Sequence, residues 1–117
     1  TQAMREQNLA PHRLGLSNTL NMYWTAAQLV THHSVNGCQL QAGDLFGSGT
    51  LSGPERSQLG SLLELTEGGK HPVELASGEV RKFLEDGDEI ILRARCTRDG
   101  FAPIGFGECR GKVIAAR

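Results

Sequence analysis

Two groups in this chain have the residue types and setting for chemistry. One is a glycine-rich stretch, Gly43-Asp44-Leu45-Phe46-Gly47-Ser48-Gly49-Thr50-Leu51-Ser52-Gly53, and the other is Glu64, a lone carboxylate among Leu62, Leu63 and Leu65. Glycines let a backbone bend or come close to a ligand, and Thr50 places a hydroxyl at the end of that bend. The stretch therefore reads either as a bulged strand end with a tight turn or as a floor of backbone and hydroxyl groups for a small polar substrate. A nucleotide-binding phosphate loop is excluded: no Lys follows the glycines, and Pro54 opens the next segment. Glu64 reads either as a residue at a solvent edge or as a carboxylate that orients a histidine or handles a proton, with its pKa raised by burial. None of His12, His32, His33 and His71 has a spacing that identifies it as the partner.

Other chemistry-bearing residues point to structural roles. His32 and His33 are adjacent, so on a helix they project about 100° apart and cannot chelate one ion as an i, i+4 pair does. They suit the carbonyl end of a helix instead. Cys38, Cys96 and Cys109 are odd in number and widely spaced, which fits reduced, mostly buried thiols of a cytosolic protein better than a disulfide framework or a CxxC metal site. The acidic run Glu85-Asp86-Gly87-Asp88-Glu89 lacks the ligand spacing of a calcium loop and reads as a solvated hairpin.

The elements that must position these residues follow from the totals and the pattern. A length of 117 residues fits a single domain, and 38% apolar with 21% charged residues describes a globular chain. A net charge of -1 gives no strong attraction to nucleic acid or anionic lipid, and no apolar run approaches the roughly 20 residues of a membrane-spanning helix. The first residues, Thr1-Gln2-Ala3-Met4-Arg5, have neither an initiator Met nor an apolar core, so they are expected to open a fragment rather than a signal peptide. Residues 1–13 read as an irregular or extended lead-in. Ser17 or Asn18 is expected to cap a helix from Thr19 to His33 that carries Leu20, Tyr23, Trp24, Ala27, Leu29 and Val30 at spacings of three and four, anchors a sheet with its aromatics and ends before Asn36-Gly37. Strands are expected at Leu45–Leu51, Ser61–Thr66, Val73–Leu75, Val80–Leu84, Glu89–Arg95 and Gly105–Ile114, with turns at Glu67-Gly68-Gly69, Ala76-Ser77-Gly78 and Glu85–Asp88. The 15 glycines, well above an average share of about 7%, fit turns between short strands. One principal helix near the N-terminus followed by short strands is the pattern of an α+β, mainly β fold, a sandwich or rolled sheet without an internal domain boundary.

A longer pattern is visible across these elements. Ser17-Asn18, Met22-Tyr23-Trp24-Thr25, Thr31-His32-His33-Ser34-Val35-Asn36-Gly37-Cys38, Gly43-Asp44-Leu45, Ser48-Gly49-Thr50, Gly53, Gly60-Ser61 and Leu63-Glu64-Leu65 follow one another, then Phe83-Leu84, Asp86-Gly87-Asp88-Glu89, Gly105-Phe106-Gly107, Cys109 and Gly111-Lys112-Val113. In this order they resemble the C-terminal region of the fumarylacetoacetate hydrolase family, in its fumarylacetoacetase branch, from Leu16 to Val113. The glycine skeleton is shared across the wider superfamily, whereas the Tyr-Trp-Thr and His-His-Ser-Val-Asn-Gly-Cys runs mark that branch.

The resemblance implies a rolled β-sandwich catalytic domain, with residues 1–117 as its C-terminal part, in a cytoplasmic, metal-dependent homodimer. It implies a small diketo-acid substrate, a divalent cation (Mg2+ or Ca2+) and hydrolysis of a carbon-carbon bond to give fumarate and acetoacetate at the end of tyrosine breakdown. By position, Glu64 matches the glutamate that pairs with the catalytic histidine, and Thr50 matches the threonine that contacts substrate. The metal ligands, the catalytic histidine and the basic residues of the family precede this region, so no metal ligand is assigned within the chain. The isolated chain is expected to be inactive, with exposed apolar surface that favours association. Two alternatives remain open: a related acylpyruvate or diketo-acid hydrolase, and a non-catalytic binding or dimerisation module built on the Trp24 helix.

Overall fold

A computed structural model describes residues 1–116, which form two compact units. One unit comprises Thr1–His12 and the chain from Pro72 onward; the other is Arg13–His71.

In the first unit, the lead-in that reads as irregular forms a short helix, α1 (Gln2–Glu6). Thr1 makes the difference, because its hydroxyl accepts from the Met4 N–H at 3.2 Å and so caps the first turn. The turn puts Met4 inward, where it and Leu75 are the buried apolar residues of this unit. Strands β1 (Val73–Glu74) and β2 (Val80–Arg81) pair antiparallel across the expected Ala76-Ser77-Gly78 turn. Two backbone bonds close that turn, from Leu75 N–H to Glu79 C=O and from Gly78 N–H to Leu75 C=O. Strands β3 (Glu89–Cys96) and β4 (Ile104–Lys112) form a second antiparallel ribbon, with an irregularity in register between Arg93 and Arg95.

The Glu85–Asp88 turn forms as expected, but it is not simply solvated. Asp88 is buried and receives two guanidinium bonds from Arg81, Nε to Oδ2 at 2.8 Å and Nη2 to Oδ1 at 3.1 Å. The Glu85 N–H also donates to Asp88 Oδ2 at 3.0 Å, and Arg81 Nη2 reaches Glu79 Oε1 at 3.2 Å. Burial pushes the Asp88 carboxyl up, but the Arg81 hydrogen bonds and charge, with the Glu85 N–H, outweigh it and hold the carboxyl below its usual range. This clamp joins β2 to the turn that leads into β3.

In the second unit, the expected long helix is shorter and starts later. Asn18 caps only a 3-10 turn, Thr19–Asn21, by accepting from the Leu20 N–H at 2.9 Å. The principal helix is α2 (Ala26–Val35), opened by a capping box in which Thr25 and Gln28 satisfy each other's backbone N–H groups. Tyr23 and Trp24 therefore lie ahead of the helix, edge to face at 4.8 Å and largely exposed, and do not anchor a sheet. The exit is as expected: Asn36 ends the helix and Gly37 takes a φ of +80°, a conformation that glycine adopts without a Cβ clash. The stretch Leu45–Leu51 is irregular, not a strand, and it finds no ladder partner among the described residues. Ser61–Thr66 is likewise not a strand, since Leu62–Leu65 forms the short helix α3 with Ser61 as its cap.

The architecture is thus α+β, with helices and two antiparallel ribbons in comparable amounts. Cys38, Cys96 and Cys109 are free and exposed, contrary to the buried thiols expected from sequence. Two of them sit on the β3–β4 ribbon, where most side chains have no layer packed over them. Among the described residues, no helix is long and apolar enough to cross a membrane.

Candidate functional site

Within the Arg13–His71 unit, three irregular segments run against one another. Leu16 N–H donates to Ser57 C=O at 2.9 Å, and Gly53 N–H donates to Gln58 C=O at 3.0 Å. Gly60 lies so close to the neighbouring chain that an added Cβ would stand 2.5 Å from the Leu51 carbonyl oxygen and 2.9 Å from the Thr50 methyl carbon. Only glycine permits that approach, which sets Thr50, Leu51 and Ser52 beside the Gly60-Ser61 turn into α3.

The seam carries Glu64. Its Oε2 accepts from the Ser52 hydroxyl at 2.7 Å and from the Ser61 hydroxyl at 3.2 Å. Each serine is itself engaged by backbone: Gly60 N–H donates to Ser52 Oγ at 3.0 Å, and Glu64 N–H donates to Ser61 Oγ at 3.3 Å. The Ser52 hydroxyl is the main influence that lowers the Glu64 pKa; partial burial opposes it, while the Ser61 hydroxyl and the backbone N–H groups of Gly60 and Ser61 reinforce it. The expectation of a pKa raised by burial is overturned. The physical reason is that a half-buried carboxylate with hydroxyl donors gains more from hydrogen bonding than it loses in solvation.

Thr50 is exposed and lines a cleft of ≈ 190 Å³ with Asn21, Trp24, Ser48 and Ser52 among its other walls. Pockets that enclose a small ligand usually measure about 300–1,000 Å³, so this cleft is smaller than a closed ligand pocket. The structure therefore places Thr50 and Glu64 along one seam, connected through Ser52 and Gly60. Among the described residues it does not bring a histidine to Glu64: the hydrogen-bonding side chains on its carboxylate are serines. His32 and His33 lie in the last turn of α2, His33 in an edge-to-face contact with Phe46 at 5.1 Å, and His71 pairs with Glu67 at 3.5 Å.

Sequence reasoning passed over Ser52 and Ser61. A signal for the second was present, because Ser61-Leu62-Leu63-Glu64 has the S-x-x-E spacing of a helix N-terminus. No comparable local signal marks Ser52, which reaches Glu64 only through the close approach at Gly60. Among the described residues, no group of three or more His, Cys, Asp or Glu side chains could hold a metal ion. The described residues thus do not fit a divalent cation.

Comparison with known proteins supplies the context. Residues 12–114 match the family model described as fumarylacetoacetate (FAA) hydrolase C-terminal. The chain is 56% identical over 100 residues to the fumarylacetoacetase of Homo sapiens, covering 86% of this chain and 24% of that protein. It is 51% identical over 111 residues to the Caenorhabditis elegans fumarylacetoacetase, covering 95% of this chain and 26% of that protein, and 51% identical over 106 residues to that of Oryza sativa subsp. japonica. The chain spans about a quarter of the length of the curated relatives it matches.

Proposed function

The chain belongs to the fumarylacetoacetate hydrolase C-terminal family, and from that premise we propose that it is the C-terminal part of a fumarylacetoacetase. In this reading the complete enzyme hydrolyses the carbon-carbon bond of 4-fumarylacetoacetate to fumarate and acetoacetate, in tyrosine and phenylalanine catabolism. The observation that supports it best is an ionised Glu64 held on neutral donors, on the same seam as the exposed Thr50 hydroxyl.

Glu64 accepts the N–H of a histidine supplied by residues outside this chain and so fixes the tautomer that takes a proton from water. The hydroxide formed in that way attacks the substrate ketone. Thr50 holds a substrate carboxylate in place, so that the reacting carbonyl meets the water in one orientation. The carbon-carbon bond then breaks with its electron pair leaving on acetoacetate, and water supplies the hydroxyl of the fumarate carboxylate and the proton of the product. A divalent cation, Mg2+ or Ca2+, belongs to this reading through the family resemblance; its ligands would lie outside these 117 residues, and when bound it would supply positive charge to the site. The isolated chain is inactive in this reading. The complete enzyme is a cytoplasmic homodimer, in which residues 1–117 belong to a rolled β-sandwich catalytic domain.

The test is hydrolysis of fumarylacetoacetate by a complete enzyme that contains this region. Wild-type protein turns over, the 117-residue chain alone does not, and Glu64→Ala lowers kcat by about 100-fold or more. An unchanged rate in that variant would overturn the role given to Glu64.

A further inference from the structure

We propose that Ser52 is a positioning residue for Glu64, the member of a two-serine cradle that selects which carboxylate oxygen is offered to the histidine. The inference rests on the role proposed for Glu64 and adds how that carboxylate is oriented.

A serine hydroxyl has one proton to give, and the direction of that proton depends on what occupies its oxygen. At Ser52 the oxygen accepts the Gly60 N–H at 3.0 Å, and the proton falls on Glu64 Oε2 at 2.7 Å. At Ser61 the oxygen accepts the N–H of Glu64 itself at 3.3 Å, and the proton goes to the same Oε2 at 3.2 Å. Each relay runs from backbone N–H through hydroxyl to carboxylate, an alignment in which one bond polarises the next.

Both protons converge on Oε2, which leaves Oε1 without a side-chain donor among the described residues. Oε1 is thereby the acceptor for an incoming imidazole N–H. The side-chain donors on the carboxylate are two uncharged hydroxyls. They fix the carboxylate's rotation while leaving its full negative charge to stabilise an imidazolium. The two serines are not equivalent. Ser61 also caps α3, whereas Ser52 comes from a segment eight residues before Gly60 and makes the shorter bond.

The experiment compares Ser52→Ala, Ser52→Thr and Glu64→Gln in the complete enzyme, with kcat, KM and the acidic limb of the kcat profile as readouts. Ser52→Ala is expected to lower kcat about tenfold with KM within about twofold, and to move the acidic limb to higher pH, because a charge-assisted hydrogen bond is lost. Ser52→Thr keeps the hydroxyl and restores both. Wild-type kcat and an unmoved acidic limb in Ser52→Ala, beside an inactive Glu64→Gln, would overturn the positioning role and leave that of Glu64 standing. Full turnover in Glu64→Gln would overturn both. If Ser52→Ala loses its native melting transition, Ser52→Cys replaces it as a variant of similar shape and weaker donor strength, and the same upward shift is expected; an unmoved limb there also overturns the proposal.

Discussion

Asp88 and Glu64 are both held below the ordinary carboxylate pKa, one in each compact unit, by opposite means. Asp88 is buried against a guanidinium that binds both of its oxygens. Its charge is neutralised where it sits, and the geometry closes a turn. Glu64 is half-buried, is held through one oxygen by two neutral hydroxyls, and keeps its whole charge. A carboxylate matched by a cation inside its own unit has little left to offer another group, whereas one held by dipoles can still polarise an incoming donor. Both carboxylates have a lowered pKa, so that property alone does not distinguish the turn-closing Asp88 from the role proposed for Glu64; the donors differ, a guanidinium in one case and hydroxyls in the other.

The contrast can be tested by disrupting each side. The largest effect on folding is expected for Arg81→Ala, which leaves Asp88 buried without its cation and should cost about 3 kcal/mol or more in chemical denaturation. An unchanged midpoint would mean that the clamp is as dispensable as a surface ion pair. Next is Gly60→Ala. Its Cβ would collide with the Leu51 carbonyl, so overpacking of about 1–3 kcal/mol is expected, with the seam that joins Thr50 to Glu64 opened. Loss of turnover without loss of stability would place the strain at the site alone.

The smallest effect concerns pH. Because the folded pKa of Asp88 lies below its unfolded value of about 3.9, the stability that it contributes is fully present above that value and is lost as pH falls through the folded pKa. Denaturation midpoints taken from pH 6 down through about pH 3 should therefore fall in wild type and flatten in Asp88→Asn. A slope that persists unchanged in the variant would assign the acid sensitivity to other carboxylates.

What the sequence made legible was local and signalled by backbone needs. The Asn36-Gly37 exit of α2, the Ala76-Ser77-Gly78 turn and the bodies of β3 and β4 all follow from turn chemistry and apolar runs. Two of the misread elements share a cause. Leu63 and Leu65 alternate as a strand would, and Leu20 to Val30 recur as one long helix would, but Ser61-x-x-Glu64 and Thr25-x-x-Gln28 are N-terminal signals that set where the helices α3 and α2 begin. Side-chain capping outweighed hydrophobic period in both places. The site was legible only in part. Thr50 and Glu64 could be singled out from residue type and from family resemblance, but the contact of Ser52 with Glu64 spans twelve positions and depends on an approach that no local pattern encodes.

The β3–β4 ribbon has a consequence of its own. It is two strands wide, it carries Leu92, Ile104 and Phe106 in the open, and among the described residues neither strand has a second ladder partner. Such a surface is a template on which another extended chain can add by hydrogen bonding. Arg93, Glu108 and Arg110 are spread along it and paired with one another or with Glu89, so they act as gatekeepers: any segment that docks there has to accommodate a row of opposite charges before it can reach the apolar side chains.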